Sequence, residues 1–181
     1  MFLEEILLSD DVVKAINDNM DYLLYIMPEI SKMIDFPHNH PDHHLDVWNH
    51  TLLALSLSEK NFDVRLTLLL HDIGKPDHYQ DEEIRHFRGH PEESVKIALP
   101  ILKRLDFTPE YISYICYLIA HHDTPITEED LNNNYGVTLK HYEVQRCDAL
   151  AHHPDKLEKR KNYLNKTKEM ILVKTKKLNG E

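Results

Sequence analysis

An all-helical domain is what this sequence predicts, and three observations predict it. Glycine occurs only four times in 181 residues, too rarely for the tight turns of a strand-rich fold. Long runs of good helix formers alternate with short polar breaks. Within those runs apolar residues recur at three- and four-residue spacing, the mark of a helix with one buried face. The length suits one domain with a real core. With 41% hydrophobic and 29% charged residues, the composition is globular and not disordered.

The elements follow in order. Leu3, Ile6 and Leu7, then Val12, Val13 and Ile16, give two short helices, the second capped by Asp10. Tyr22, Leu23, Ile26, Ile30, Met33 and Ile34 keep helical spacing over 21–35, with Pro28 breaking or kinking the run. Residues 36–46, with two prolines and four histidines, read as a loop. Helices follow from about Val47 to Ser58 and from about Val64 to Asp72, then a polar loop over 76–89. Pro91 suits the first turn of the next helix, whose apolar face is Val95, Ala98, Leu99, Leu102 and Leu105. Thr108 and Pro109 open a helix from Glu110 to about His121, with Ile112, Ile115 and Ile119 on one face. Thr127 caps a short turn ending at Leu131. Helices over 138–152 and 155–178 complete the chain. In the last, Leu157, Leu164, Ile171 and Leu178 stand at sevenfold spacing, which fits a partner-facing seam or a helix packed along the domain. The expectation is one domain over 1–181, with helices of 1–35 packed on a core of 36–153 and the final helix alongside.

Charge and cysteine content narrow the function. A formal net charge of -10 argues against an extended basic surface for nucleic acid. It leaves room for a small phosphate-bearing substrate at a locally positive site. The two cysteines, Cys116 and Cys147, fall in apolar helices as small core residues, so no disulfide framework is expected and a reducing cytoplasm fits. No signal-like segment opens the chain and no apolar run reaches the ~18 residues of a membrane span.

The chemistry centres on Leu68-Leu69-Leu70-His71-Asp72-Ile73-Gly74-Lys75. Burying an imidazole and a carboxylate beside three leucines is costly unless something compensates them, and a divalent metal would. The 14 histidines supply further candidates, scattered from His38 to His153 and not gathered as a tag. His50, His90, His121, His122 and Asp148 each lie on or at the end of a predicted helix. Helical domains build metal sites from ligands on several helices, and this nitrogen and oxygen donor set suits a first-row divalent ion. Any one of these histidines alone would pass for an ordinary core or surface residue; the adjacent His71-Asp72 pair would not.

His50, then His71-Asp72, then Asp148 resembles the H…HD…D pattern of the HD superfamily of metal-dependent phosphohydrolases. Several ordered stretches are similar to the HD region of bacterial tRNA nucleotidyltransferases, the CCA-adding enzymes. They are Pro28-Glu29-Ile30 before Phe36-Pro37, His43-His44-Leu45-Asp46-Val47-Trp48-Asn49-His50-Thr51, His86-Phe87-Arg88-Gly89-His90, His122-Asp123-Thr124-Pro125-Ile126 and Asp148-Ala149-Leu150-Ala151. The resemblance runs from about residue 28 to 175 and implies an HD helical bundle with the metal between core helices. A first departure from the CCA-adding enzymes is the head: no Gly-Ser pair of a nucleotidyltransferase head is present and the chain is too short to hold that head as well. Nucleotide addition is therefore not expected, and the hydrolytic module is.

A second departure is His121, a position not usually histidine in the CCA-like branch. With His90 and His122 it resembles the H…HD…H…HH…D arrangement of two-metal HD phosphodiesterases. That resemblance implies that Asp72 bridges two ions, with His50, His71 and Asp148 on the first and His90, His121 and His122 on the second. The alternative is one ion, with His90 and His122 binding the substrate phosphate or moving protons. The ion can be manganese, iron, nickel, cobalt, zinc or magnesium; ligand type does not choose among them.

A bound ion lowers the pKa of its water toward about 7 and neutralises phosphate charge. Asp72 is the carboxylate best placed to orient or deprotonate the attacking water. Lys75, aimed by the Gly74 turn, and Arg88 are the candidate phosphate contacts, since guanidinium binds phosphate oxygens in pairs. His90 or His122 can protonate the leaving group. The loop histidines His43 and His44 are weaker substrate candidates, and Asp46 can hydrogen-bond a ligand from behind. The implied activity is hydrolysis of a small nucleotide, as a phosphomonoesterase or a 2′,3′-cyclic phosphodiesterase. A dinucleoside polyphosphate hydrolase and a non-catalytic module binding a nucleotide or tRNA end are the alternatives.

Overall fold

A computed structural model describes residues 2–180, so both ends of the expected 1–181 domain, Met1 and Glu181, lie outside the described residues. Ten α-helices occur among the described residues, with two 3-10 turns and two isolated β-bridges, Pro37 to Asp46 and Gln80 to His86. The all-helical expectation is met.

The N-terminal helices are short. In α1 (Phe2–Leu7), Leu3, Ile6 and Leu7 are buried. The cap of α2 (Val12–Asp18) is Asp11, whose carboxylate accepts the Lys14 amide at 2.9 Å. Asp10, expected in that role, reaches out to Lys60 Nζ at 2.8 Å instead. In α3 (Met20–Ile26) the helix stops before Pro28, which opens a 3-10 turn over Pro28–Lys32. A proline cannot donate the amide bond an α-helix needs.

The centre of the molecule is α5 (Phe62–Leu70), where every residue from Val64 to Leu70 is buried. It packs against α4 (Val47–Ser56), α7 (Pro109–Ala120) and α9 (Tyr135–Leu150), while α6 (His90–Arg104) lies on α7. The buried charge on α5 is Arg65, whose Nη1 donates to the carbonyls of Leu7 at 2.7 Å and Ser9 at 2.8 Å and whose Nε donates to Ser58 Oγ at 3.0 Å. This side chain ties the end of α1 to the core.

Local signals account for most helix ends. Asn61, Thr108 and Asn134 cap α5, α7 and α9 with side-chain oxygens, and Thr127 and Asp130 form a reciprocal capping box on α8 (Glu128–Asn133). Asn134 starts α9 three residues earlier than the apolar pattern predicts, and α9 ends at Leu150, so His152 stands beyond it. On α6, Leu99 is exposed and does not join the core face. The last helix, α10 (Leu157–Asn179), packs along α9 and α8. Leu164 and Ile171 are buried there, whereas Leu178 is exposed, so the sevenfold set is only partly a packing seam. Cys147 is fully buried and Cys116 half-buried; both thiols are free.

Candidate metal centre

The ends of five helices and one turn deliver the cluster. Asp46 caps α4: one oxygen accepts the Asn49 amide at 2.8 Å and the other the Asn49 side chain at 2.5 Å. Its carboxylate is spent on the helix start, so it does not back a ligand as expected. One turn further, His50 faces inward and is fully buried. His71 ends α5 and Asp72 begins the turn after it. Gly74 sits against the first turn of α6, its amide donating to Ser94 Oγ at 3.0 Å. A Cβ on Gly74 would come within 2.8 Å of the Glu93 carbonyl carbon and 2.9 Å of the His90 oxygen. Glycine is therefore required for close approach and not, as expected, to aim Lys75. The approach sets His90, at the start of α6, beside Asp72. Gly89 ahead of it takes φ +83°, a conformation that favours glycine. His122 follows α7, and Asp148 lies in the last turn of α9.

These side chains converge on Asp72. Its Oδ2 lies 3.2 Å from His71 Nε2 and 3.6 Å from His50 Nε2. Asp148 Oδ1 closes that group, 2.9 Å from His50 Nε2 and 3.7 Å from His71 Nε2. The other Asp72 oxygen, Oδ1, faces a second set: His90 Nε2 at 3.2 Å and His122 Nε2 at 3.8 Å. Two triads able to hold an ion thus share one carboxylate: His50, His71 and Asp72, and Asp72, His90 and His122.

The backs of the rings fix their chemistry. His50 Nδ1 lies 3.2 Å from the Ala151 carbonyl, His71 Nδ1 2.7 Å from Leu68, His90 Nδ1 2.8 Å from Phe87 and His122 Nδ1 2.7 Å from Ile119. A carbonyl only accepts, so each Nδ1 carries the proton and each Nε2 turns a lone pair to the cluster. The Nε2 atoms of His90 and His122 are 3.1 Å apart, close enough for two lone pairs to repel. His71 Nε2 and both Asp72 oxygens are buried and lack a hydrogen bond. Lys75 Nζ stands 2.7 Å from Asp72 Oδ2 as an ion-pair contact without hydrogen-bond alignment. Inward-facing lone pairs and orphaned anionic oxygens are what a cation satisfies, so the residues fit a divalent metal.

The charge states agree. Burial alone would raise the Asp72 pKa, but His71 and Lys75 outweigh it and hold the carboxyl well below its ordinary value. At Asp148 burial is likewise outweighed, by His152 and His50. Burial lowers and the two carboxylates raise the His71 pKa, to about 10, so a proton and a metal ion compete for the same place. His122 is lowered to about 4 by burial and by His71 and His90.

His121 is not brought in. It caps the end of α7, its ring tilted 45° against Tyr117 at 4.5 Å, and its carbonyl accepts His141 Nε2 at 2.5 Å. Its ring lies between Tyr117 and His141, and it belongs to neither triad. Lys75 lines the cleft but is almost wholly buried, held between Asp72 and His38 Nε2 at 3.2 Å. Arg88 lies exposed at the rim, its amide donating to Gln80 Oε1 at 3.3 Å. The cleft encloses about 340 Å³ and includes Asp72, Lys75, Arg88, His90, His122 and Asp148. His43 lines it as well, whereas His44 belongs to a separate depression with His153.

Two residues were not foreseen. His38, in the loop read as plain polar, is buried; its Nδ1 donates to Leu45 O at 2.8 Å and its ring stacks on His43 at 3.7 Å. Burial and the Lys75 charge lower its pKa to about 2, so it presents a lone pair to Lys75. His152 lies behind Asp148, its Nδ1 2.8 Å from the Asp148 carbonyl. Its position four residues after Asp148 was the available signal.

A family model described as the HD domain matches residues 42–174. The chain belongs to the HD domain family, the metal-dependent hydrolase superfamily that its fold and His/Asp cluster define. Among relatives, it is 33% identical over 132 residues to a CC-adding tRNA nucleotidyltransferase of Thermus thermophilus. The match covers 68% of this chain and 29% of that protein's length.

Proposed function

We propose that this chain is a metal-dependent phosphohydrolase acting on a small phosphate ester, a nucleotide by preference, with phosphomonoesterase or 2′,3′-cyclic phosphodiesterase activity. The observation that carries the reading is the division of Asp72, with Oδ2 toward His50, His71 and Asp148 and Oδ1 toward His90 and His122. In this reading the first three hold one ion with Asp72, and His90 and His122 hold a second. Bound divalent ions supply Lewis acidity and neutralise phosphate charge.

The chain's own groups do the rest. Lys75 brings a buried cation to the cleft floor, where low dielectric strengthens its attraction for a phosphate oxygen. His38 keeps that ammonium oriented through its Nε2. Arg88 approaches from the rim as a second phosphate contact. With His90 and His122 on an ion, proton transfer to the leaving group falls to another group of the cleft wall. Asp123 stands there beside His122.

Hydrolysis of 4-nitrophenyl phosphate by metal-loaded protein tests the reading. Manganese, cobalt or nickel should support turnover, and Asp72→Ala should abolish it with the circular dichroism spectrum retained. A full wild-type rate in that variant would sink the mechanism. Absence of turnover with any metal would favour the non-catalytic nucleotide- or tRNA-binding module.

A further inference from the structure

Beside the metal cleft lies a second basin of about 340 Å³ whose wall is one face of α10. Lys159, Arg160 and Tyr163 of α10 line it, with Lys156 just ahead of them at the helix N-cap. The two basins have Asp42, His122, Asp123, Asp148 and Arg160 in common, so they form one continuous cleft. Each falls within the ~300–1,000 Å³ of small-molecule sites.

The composition of this face is unusual for its position. The neighbouring stripe of α10, Leu164, Thr167 and Ile171, is buried against the domain as a packed helix requires. The face over the cleft instead carries Lys159 and Arg160, with Lys156 at the helix N-cap, in a chain whose net charge is -10. Asp42 accepts both Lys156 and Arg160 at 3.3 Å, and Lys159 has no ion-pair partner among the described residues. Asp123 and Asp148 are further acids on the wall, so three cations face three carboxylates, and Lys159 is the cation left without an ion-pair partner among the described residues. Tyr163 is 40% exposed and presents an aromatic ring next to them.

The geometry points to a second recognition subsite on α10, with Lys159 and Arg160 for an additional phosphate and Tyr163 for a nucleobase. The substrate class is then a nucleotide that carries a further phosphate beyond the one hydrolysed, and not a simple monophosphate. Aromatic rings accept any base by stacking, and paired cations select the extra charge. The assignment rests on the phosphohydrolase reading for the identity of the scissile group, though binding to the basin does not.

Calorimetric titration of the full chain in EDTA with adenosine 3′,5′-bisphosphate and adenosine 5′-monophosphate separates the two. Repulsion at the metal-free carboxylates is greater for the more highly charged bisphosphate, so it works against the expected preference and cannot produce it. The bisphosphate should bind about tenfold more tightly, and Lys159→Ala should remove about fivefold of that advantage. Tyr163→Ala should weaken both ligands about fivefold or more, with Tyr163→Phe restoring them. In manganese-loaded protein, Lys159→Ala should lower the kcat/KM ratio of bisphosphate to 4-nitrophenyl phosphate by a similar factor. Equal affinity for both nucleotides, unmoved by Lys159→Ala, overturns the subsite whatever the enzyme does. Failure to hydrolyse 4-nitrophenyl phosphate overturns the catalytic reading and leaves the titration to decide the subsite.

Discussion

Gly74 and Ser94 are in backbone contact: the glycine amide donates to Ser94 Oγ at 3.0 Å, and a Cβ on Gly74 would overlap the Ser94 amide nitrogen. The turn after α5 and the first turn of α6 are therefore one packed unit. Asp72 and His90, the residues at their two edges, keep their 3.2 Å separation because of it. Gly74→Ala has to push the two segments apart. Overpacking of this kind costs about 1–3 kcal/mol, which urea denaturation will show as a lower midpoint at constant slope. The same variant should weaken the second ion more than the first, since His50, His71 and Asp148 do not depend on α6.

The two histidines next to each other after α7 should behave oppositely. His122→Ala and His90→Ala each remove a lone pair facing Asp72 Oδ1, and the metal content measured by plasma emission should fall from two ions per chain toward one. His121→Ala removes a ring packed against Tyr117 and should leave the count at two. A count of one in the unmodified protein, unchanged by either substitution, would return His90 and His122 to binding phosphate or moving protons.

How much of this was legible depended on whether the signal was local. The caps Thr108 and Thr127, the break at Pro28 and the buried run before His71 are written in neighbouring residues, and they hold. The candidates His50, His71, Asp72, His90, His122 and Asp148 were also found in sequence, and the fold gathers them. Asp10 and Asp11 are both capping types, and only backbone geometry chooses between them. His121 followed a resemblance in residue order, whereas the turn after α7 directs its ring to Tyr117 and His141. His38 was missed because its burial depends on Lys75, 37 residues away, and no periodicity marks a loop residue folded under a cleft. The Gly74 contact with α6 is equally non-local.

Metal should stabilise the folded chain, because the unfolded chain has no preformed site. Binding at a free concentration a hundredfold above Kd contributes about 2.7 kcal/mol per site. For a chain of this size that corresponds to roughly 5–10 °C in Tm. Differential scanning fluorimetry with manganese against EDTA should show the rise, and Asp72→Ala should not respond. A rise of equal size in that variant would place the stabilising ion elsewhere.

Arg65 offers a test of the N-terminal packing that is independent of the metal. Its guanidinium holds the carbonyls of Leu7 and Ser9 from inside α5. Arg65→Met keeps much of the apolar stem and strands those acceptors. Hydrogen bonds from a charged donor are worth about 1.5–3 kcal/mol each, so a loss of about 2–4 kcal/mol in folding stability is expected after water reaches some of them. Hydrogen exchange should accelerate first in α1 and α2, with α5 protected until global unfolding. Uniform acceleration would mean that α1 is held by apolar burial alone.

Lys75 separates two roles that the same position serves. Its Nζ is 2.7 Å from Asp72 Oδ2 and 3.2 Å from His38 Nε2, so it is either a structural partner of the shared carboxylate or a phosphate contact that rests there between turnovers. If it is only a partner, Lys75→Met leaves Asp72 less compensated, and metal, itself a cation, binds as well or better while kcat stays near wild type. If it contacts phosphate, the metal count is unchanged and kcat falls by about 10²–10³, the usual loss on removing one preorganised donor. The depth of Lys75 favours the second outcome, because a buried cation facing an open cleft keeps its strength for an incoming anion. His38→Ala should then reproduce part of the loss by freeing the ammonium to rotate, with the metal count again intact. Metal bound as well or better, with kcat near wild type, in Lys75→Met would assign the lysine to Asp72 alone.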